Sequence, residues 1–367
     1  MANQHTAYKA VVFDMDGVIF DSERLVIETW KVVADKYHIQ NIDQACLACT
    51  GLNKDATAVK MREIYGEQFP YEEYKKEASA LFHERYDDGR LPMKPGVTEL
   101  LTFLKEQGIR IALASSTRSE IVKKELADAG IIGYFDEIVC GDMVARSKPA
   151  PDIFLKACEC LGVQPPEAYG IEDSYNGIRS AHTAGLCPIM VPDLCPPTEE
   201  MEQLAEVILP SLSAVKDYLS FGEKEKELFD SLGESRQMVL STSLEDHVTS
   251  RMMSMIIHEG AFYFQTDRTF RKYAQLIGNP QVALCADNIQ IEGICTEIGT
   301  PAEHPVFSEL YRKHFAGSYR RYSGLENERL FMVEPVYIQK WIYENSKPFV
   351  ESYDFKTFRY EKEAYEV

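Results

Sequence analysis

The sequence predicts an α/β domain built on a doubly wound, Rossmann-like parallel sheet with a helical cap, followed by a smaller antiparallel β barrel. Three observations predict it. From Tyr8 to about Leu219 short apolar runs alternate with amphipathic stretches, the rhythm of strands and helices in a doubly wound sheet. A long segment from Asp21 to about Pro92 offers helical patterns and no good strand. Beyond Gly222 the pattern changes to short, turn-bounded runs rich in β-branched residues.

The strand candidates of the first region are Ala10–Phe13, Ile109–Ala114, Glu137–Cys140, Ala168–Ile171 and Cys187–Val191. Most are continuous apolar runs, as strands buried on both faces tend to be. Helices fit between them at Val97–Gln107, Ser119–Ala129, Pro151–Leu161 and Tyr175–Ala184. The interrupting segment reads as three helices, Glu23–Tyr37, Lys54–Tyr65 and Tyr71–Tyr86. An insertion directly after the first strand lies over the carboxyl ends of the sheet, where α/β folds bind ligands, so it reads as a lid. The expected division is 1–20 with 93–222 as the core, 21–92 as the cap and 223–367 as the barrel domain. In that last part a charged helix, Glu223–Leu232, precedes strands at Gln237–Ser241, Thr249–Ile257, Ala261–Gln265, Val282–Cys285 and Ile289–Ile298, with one helix at Phe270–Leu276.

At 367 residues the chain exceeds one ordinary hydrophobic core. Its formal charge of −19 excludes a nucleic-acid footprint or an anionic membrane surface. Neither half is a basic tail, because 22 basic and 35 acidic residues through Gly222 leave −13, and the remaining 17 and 23 leave −6. No apolar stretch approaches a spanning helix and the first residues lack a signal pattern, so the protein is expected in the cytoplasm. Nine scattered cysteines suit reduced thiols, and Cys46-x-x-Cys49 has neither a second pair nor a nearby histidine to make a metal site.

The chemistry-bearing residues sit at the strand ends. Asp14 and Asp16 follow the apolar run Ala10-Val11-Val12-Phe13, and residues i and i+2 of a strand face the same way. Gly17 permits the turn that follows. Ser115, Ser116 and Thr117 end the second strand, with hydroxyls suited to a phosphoryl oxygen. Lys148 precedes a proline-started helix, and Glu172 and Asp173 follow another apolar strand as hard oxygen donors suited to Mg²⁺.

In this order the four motifs resemble the haloacid dehalogenase superfamily, within it the β-phosphoglucomutase-like phosphatase branch, over roughly Tyr8 to Leu219. The resemblance implies that Asp14 is a nucleophile forming an aspartyl-phosphate and Asp16 the general acid/base. It implies that Ser115, Ser116 and Lys148 bind the phosphoryl group, and that Asp14, Glu172, Asp173 and the Asp16 backbone carbonyl hold Mg²⁺. True dehalogenases lack the second aspartate, so Asp16 favours phosphate chemistry. The mutase has a histidine where this chain has Val26, which favours a phosphomonoesterase over a β-phosphoglucomutase-type phosphomutase. In the cap, Lys54 is either a ligand for a second anionic group of the substrate or a solvated helix-start residue.

A second, looser resemblance covers about Glu225 to Trp341. Arg251, Thr266, Arg271 with Lys272, and Asn288 follow in the order of the pyridoxamine 5′-phosphate oxidase-like split barrel that binds FMN. It implies that Arg251, Arg271 and Lys272 hold the flavin phosphate, that Thr266 and Asn288 contact phosphate or ring, and that the chain is a homodimer with flavin between subunits. Arginine suits bidentate phosphate recognition and lysine a point contact. The acidic end Tyr360–Val367 lacks the basic, histidine-containing motif that grips a pyridoxal-type substrate, so pyridoxamine oxidation is not expected. The whole reads as a Mg²⁺-dependent phosphatase of a small phosphorylated metabolite fused to a flavin-binding barrel. The competing readings are a flavin-dependent oxidoreductase in the barrel as the main role, or a barrel kept for assembly.

Overall fold

The computed structural model describes residues 8–49 and 54–365, which fall into two compact units that divide between Lys216 and Asp217. In the first unit, strands β1 (Ala10–Phe13), β2 (Arg110–Ser115), β3 (Glu137–Cys140), β4 (Ala168–Glu172), β5 (Cys187–Met190) and β6 (Val207–Ile208) form one sheet in the order β3-β2-β1-β4-β5-β6. All its pairings are parallel. The order reverses between β1 and β4, the switch point at which a crevice opens outside the carboxyl ends of the strands.

The helical insertion consists of α1 (Ser22–Tyr37), α2 (Ile42–Leu47), α3 (Lys54–Tyr65) and α4 (Tyr71–Tyr86). It has its own core of Trp30, Val33, Ala34, Met61, Tyr71 and Tyr74, with the Tyr74 hydroxyl donating to the Trp30 carbonyl. The short α2 is one element more than the sequence predicts. Its two linkers to the sheet lie side by side, since the Asp21 N–H donates to the Pro92 carbonyl at 3.0 Å and Phe20 bridges Met93.

The remaining helices of this unit are α5 (Val97–Glu106), α6 (Ser119–Asp128), α7 (Asp152–Leu161), α8 (Tyr175–Ala184) and α9 (Glu199–Leu204). Strand alternation sorts the core: Ala10, Val12, Ala112 and Ala114 point to the face packed by Ile153, Phe154, Ala157 and Ala181 of α7 and α8. Val11, Phe13, Ile111 and Leu113, equally buried, take the opposite face, and α5 packs on β2. Both faces are therefore covered, which is why the strands read as unbroken apolar runs.

Helix α10 (Leu212–Leu232) runs through Gly222 as one element. The second unit is antiparallel: β7 (Ser235–Leu244), β8 (His247–His258), β9 (Ala261–Asp267), α11 (Arg271–Gly278), β10 (Gln281–Ala286), β11 (Ile289–Gly299), α12 (Pro305–His314), α13 (Ala316–Tyr322), β12 (Glu328–Glu344), β13 (Lys347–Asp354) and β14 (Arg359–Ala364). The order β11-β10-β7-β8-β9-β12 closes on itself through the β11–β12 pairing, so six strands make a barrel, and β13 and β14 extend from β12. Met238, Leu240, Met255, Phe262, Phe264, Leu284, Ile291, Phe331 and Val333 fill it, with the rings of Phe264 and Phe331 stacked at 5.5 Å. Closure removes the sheet edges that an open antiparallel sheet of this size would expose. Among the described residues no helix is long and apolar enough to cross a membrane.

Candidate active site

Strand β1 ends at Phe13, and the Asp14 N–H donates to the Ile171 carbonyl of β4 at 2.9 Å, which fixes the backbone where the two central strands finish. The chain then turns at Gly17, whose φ is +81°, and a Cβ there would lie 2.2 Å from Asp173 Oδ2. Only glycine fits that backbone and that space. Asp14 and Asp16 leave the sheet close enough to repel, but they have different partners. Asp14 Oδ1 accepts from Lys148 Nζ at 2.5 Å; Asp16 Oδ1 accepts from the Ser22 hydroxyl at 2.7 Å and its Oδ2 from the Thr117 hydroxyl at 3.0 Å. Burial and then the Asp14 charge raise the Asp16 carboxyl above its ordinary range, against the lowering by those two hydroxyls and Lys148.

Lys148 organises the carboxylates. Its ammonium donates to Asp14 Oδ1 and Glu172 Oε1, each at 2.5 Å, and to the Ala114 carbonyl at 2.8 Å, while standing 5.2 Å over the Phe154 ring. Burial alone would lower this lysine, but Asp14 and Glu172 outweigh it and hold it charged. Ser115, fully buried at the end of β2, accepts from the Thr117 N–H at 3.1 Å, which orients its hydroxyl. Ser116 beside it is exposed.

Glu172 ends β4 and Asp173 begins the turn into α8. Ser174 caps that helix by accepting from the Gly177 N–H at 3.1 Å, and its hydroxyl donates to Glu172 Oε2 at 3.1 Å. A Cβ at Gly177 would lie 1.9 Å from the Glu172 carboxyl carbon, so that glycine admits the carboxylate. Asp14, Glu172 and Asp173 each present an oxygen within 4.8 Å of the others. Burial followed by neighbouring charge pushes Glu172 to about 7 and Asp173 well above the usual carboxylate range. Three crowded hard oxygens with excess negative charge fit a divalent cation such as Mg²⁺, which takes few carboxylates and keeps room for substrate oxygens.

A cavity of about 450 Å³ opens on Asp16 and runs between cap and core. Cap residues Glu23, Val26, Trp30, Lys75, Phe82 and His83 line one side, and Thr117, Ile121 and Glu125 the other. Val26, which stands where the mutase has its histidine, therefore faces the cleft. The side chain of Lys54, like Thr50 to Asn53 before it, lies outside the described residues. Thr117, expected among the phosphoryl-binding hydroxyls, donates to Asp16 instead. Sequence reasoning did not single out Ser22, Glu23 or Glu125: Ser22 was legible only as a hydroxyl shortly after the first motif, and the two glutamates meet the cavity only because α1 and α6 come together in the folded unit.

In the second unit a cationic cluster forms between β7, β8 and α11. Arg251 donates to the Thr242 hydroxyl at 2.6 Å, to Gln275 Oε1 at 3.2 Å, to the Leu240 carbonyl at 3.3 Å and to the Thr249 hydroxyl. Burial and then Arg271 lower its pKa; burial and then Arg251 lower that of Lys272, with Glu328 opposing. The fold thus brings Arg251, Arg271 and Lys272 within electrostatic reach of one another. Thr266 is buried on β9, its hydroxyl without a hydrogen-bond partner. Asn288 sits exposed at the β10–β11 corner, where its side-chain amide donates to the Trp341 carbonyl.

The sequence profile of the haloacid dehalogenase-like hydrolases matches residues 11–191. The chain is similar to the phosphorylated carbohydrates phosphatase of Thermotoga maritima, 34% identical over 182 residues that cover 48% of this chain and 82% of that protein. It is also similar to the β-phosphoglucomutase of Bacillus subtilis, 32% identical over 191 residues covering 50% and 83%. A crystal structure of a HAD family hydrolase from Deinococcus radiodurans, with bound phosphate and sodium, shares the fold at 22% identity and a TM-score of 0.51, over 59% of this chain and 97% of that one.

Proposed function

This chain belongs to the haloacid dehalogenase-like hydrolase family, and we propose that within it the protein is a Mg²⁺-dependent phosphomonoester hydrolase of a small phosphorylated metabolite, working in the cytoplasm through an aspartyl-phosphate on Asp14. The observation that carries this reading is the division between two neighbouring carboxyls. Asp14 lies against Lys148 among hard oxygen donors, whereas Asp16 is raised by burial, held by two hydroxyls and open to the cavity. One is disposed as nucleophile and the other as acid.

The Asp14 carboxylate attacks phosphorus; its O–P bond forms as the bond from phosphorus to the alcohol oxygen breaks, and the proton on Asp16 passes to the departing alkoxide. Asp16, then a carboxylate, takes a proton from a water whose oxygen attacks the same phosphorus. The Asp14 O–P bond breaks, and inorganic phosphate leaves with both aspartates restored. Lys148 and the hydroxyls of Ser115 and Ser116 bind phosphoryl oxygens, so the work is positioning and charge stabilisation. Mg²⁺ held by Asp14, Glu172, Asp173 and the Asp16 carbonyl would add positive charge beside those oxygens. Val26 on the cavity wall supports hydrolysis over phosphoryl return to an intermediate. The test is phosphate release from sugar phosphates, FMN and pyridoxal 5′-phosphate with and without Mg²⁺. Release from several esters in Mg²⁺ is expected, and none from any of them would sink the reading.

For the second unit we propose a split barrel that binds FMN in a homodimer, with Arg251, Arg271 and Lys272 on the flavin phosphate and Thr266 nearby. What supports it is that the Arg251 guanidinium is hydrogen-bonded to neutral acceptors, leaving its charge for an anion. Quenching of flavin fluorescence on titration with the full chain is the expected result. A colourless chain that takes up no FMN would leave the barrel as an assembly module, and bleaching of the bound flavin by a nicotinamide donor would point to an oxidoreductase.

A further inference from the structure

The cavity that opens on Asp16 carries more than the phosphoryl site needs, and its charges fall in an unexpected place. Beyond Asp16 its described lining holds two more carboxyls, Glu23 from the cap and Glu125 from the core, on opposite sides of the space where the leaving alcohol must lie. The basic side chains of its described lining have partners of their own: the Lys75 ammonium stands 5.8 Å over the Tyr71 ring, and His83 Nδ1 is 2.9 Å from Asp87 Oδ1. Val26, Trp30 and Phe82 give the same space an apolar wall.

We propose that this cleft selects phosphomonoesters whose alcohol carries no second anionic group, and that Glu23 and Glu125 are the residues that enforce the selection. The inference rests on the phosphatase reading above and deepens it. A second phosphate would enter with a charge of about −1.5 to −2 between two half-buried carboxylates, where like charges repel more than in bulk water. A hydroxyl-bearing carbon skeleton meets the opposite situation, because carboxylates accept hydrogen bonds from hydroxyls and the apolar wall takes its carbon face.

The surroundings of both acids support this. Glu23 faces Asp16, Asp14 and Asp193; Glu125 faces Asp16, Asp87 and Asp128, with Lys124 opposing them. Burial, and after it those like charges, push each carboxyl to about 7. Above that pH both are ionised and the discrimination is complete.

The test uses the full chain in Mg²⁺ at pH 8, with p-nitrophenyl phosphate as the turned-over ester. Glucose 6-phosphate and glucose 1,6-bisphosphate, which differ only by the second phosphate, compete with it. The monophosphate should inhibit with a Ki about 10-fold lower than the bisphosphate, the scale of one such repulsion in partly screened surroundings. Glu125→Gln and Glu23→Gln should each narrow that ratio, whereas Glu125→Asp, which keeps the charge, should preserve it. Because each ratio is taken within one protein, a general loss of activity cancels. Equal Ki values in the parent chain, or a ratio that both Gln variants leave unmoved, would overturn the proposal; no turnover of p-nitrophenyl phosphate at all would instead overturn the phosphatase reading beneath it.

Discussion

The two units each gather charge of one sign, and they neutralise it differently. In the first, Asp14, Glu172 and Asp173 crowd together and a buried lysine, Lys148, is built in to bridge two of them. In the second, Arg251 comes close to Arg271 and Lys272, and its hydrogen bonds go to hydroxyls, an amide and a carbonyl. A built-in counter-ion keeps a site folded before any ligand arrives and makes the cation part of the chemistry. Neutral acceptors hold a cation in position without cancelling it, so the Arg251 cluster keeps its positive charge, opposed at Lys272 by Glu328. The difference predicts separable functions, and variants in one unit should leave the other's readout alone.

The largest effect tests that separation. Asp14→Asn removes the proposed nucleophile and should lower phosphate release by at least ~10³-fold, while FMN titration stays at the parent value. Loss of both readouts together would break the comparison. Next is the built-in cation. Lys148→Met leaves Asp14 and Glu172 buried without their partner, so activity should fall by about 10²–10³-fold. The first unit should also lose about 3–5 kcal/mol, the usual cost of breaking a buried ion pair from one side. Added Mg²⁺ should raise the unfolding temperature of this variant more than that of the parent, since the metal then does part of the lysine's work; an equal rise in both would mean that Lys148 and the metal do not share the carboxylates.

In the barrel, Arg251→Ala should weaken FMN by about 10- to 100-fold, what the loss of hydrogen bonds to a charged partner amounts to, with phosphate release unchanged. Unaltered flavin affinity would remove Arg251 from the phosphate site. The result also bears on Thr266, whose hydroxyl is buried without a hydrogen-bond partner.

The same contrast explains what the sequence could reveal. The residues proposed as catalytic in the first unit sit in short contiguous motifs at the ends of buried parallel strands, and both the strands and the motifs announce themselves locally. Barrel strands β7 to β11 were legible in position but shorter than they are. The 17-residue β12 was not, because Pro335 interrupts its pattern, and that proline is accommodated at a register shift opposite Gly293, where the ladder needs no N–H from it. Closure of the barrel by β11 and β12 is a long-range pairing that no local pattern encodes. Nor does one encode Glu23 and Glu125, which share a cavity only because the cap folds back over α6. Asn288, suggested by its order in a motif, stands exposed at a hairpin corner where its amide donates to the Trp341 carbonyl, a long-range contact that its local sequence does not announce.

The smallest predicted effect separates the units by pH. Glu125 has an ordinary carboxyl value of 4.5 and is pushed to about 7 in the folded first unit, by burial first and then by Asp16. Between those values the folded state binds protons that the unfolded state releases, so unfolding becomes easier as pH rises. The stability this group contributes is whole below about 4.5 and is lost as pH rises through about 7. Glu125→Gln cannot ionise and escapes that loss. Without Mg²⁺ the variant should unfold at the parent's temperature near pH 4.5. At pH 8 it should unfold about 2–4 °C higher, the shift that ~1 kcal/mol makes in a unit of this size once solvent screening is allowed for. Thermal scans at the two pH values measure it, and a gain of the same size at both would show that the substitution acts through packing and not through charge.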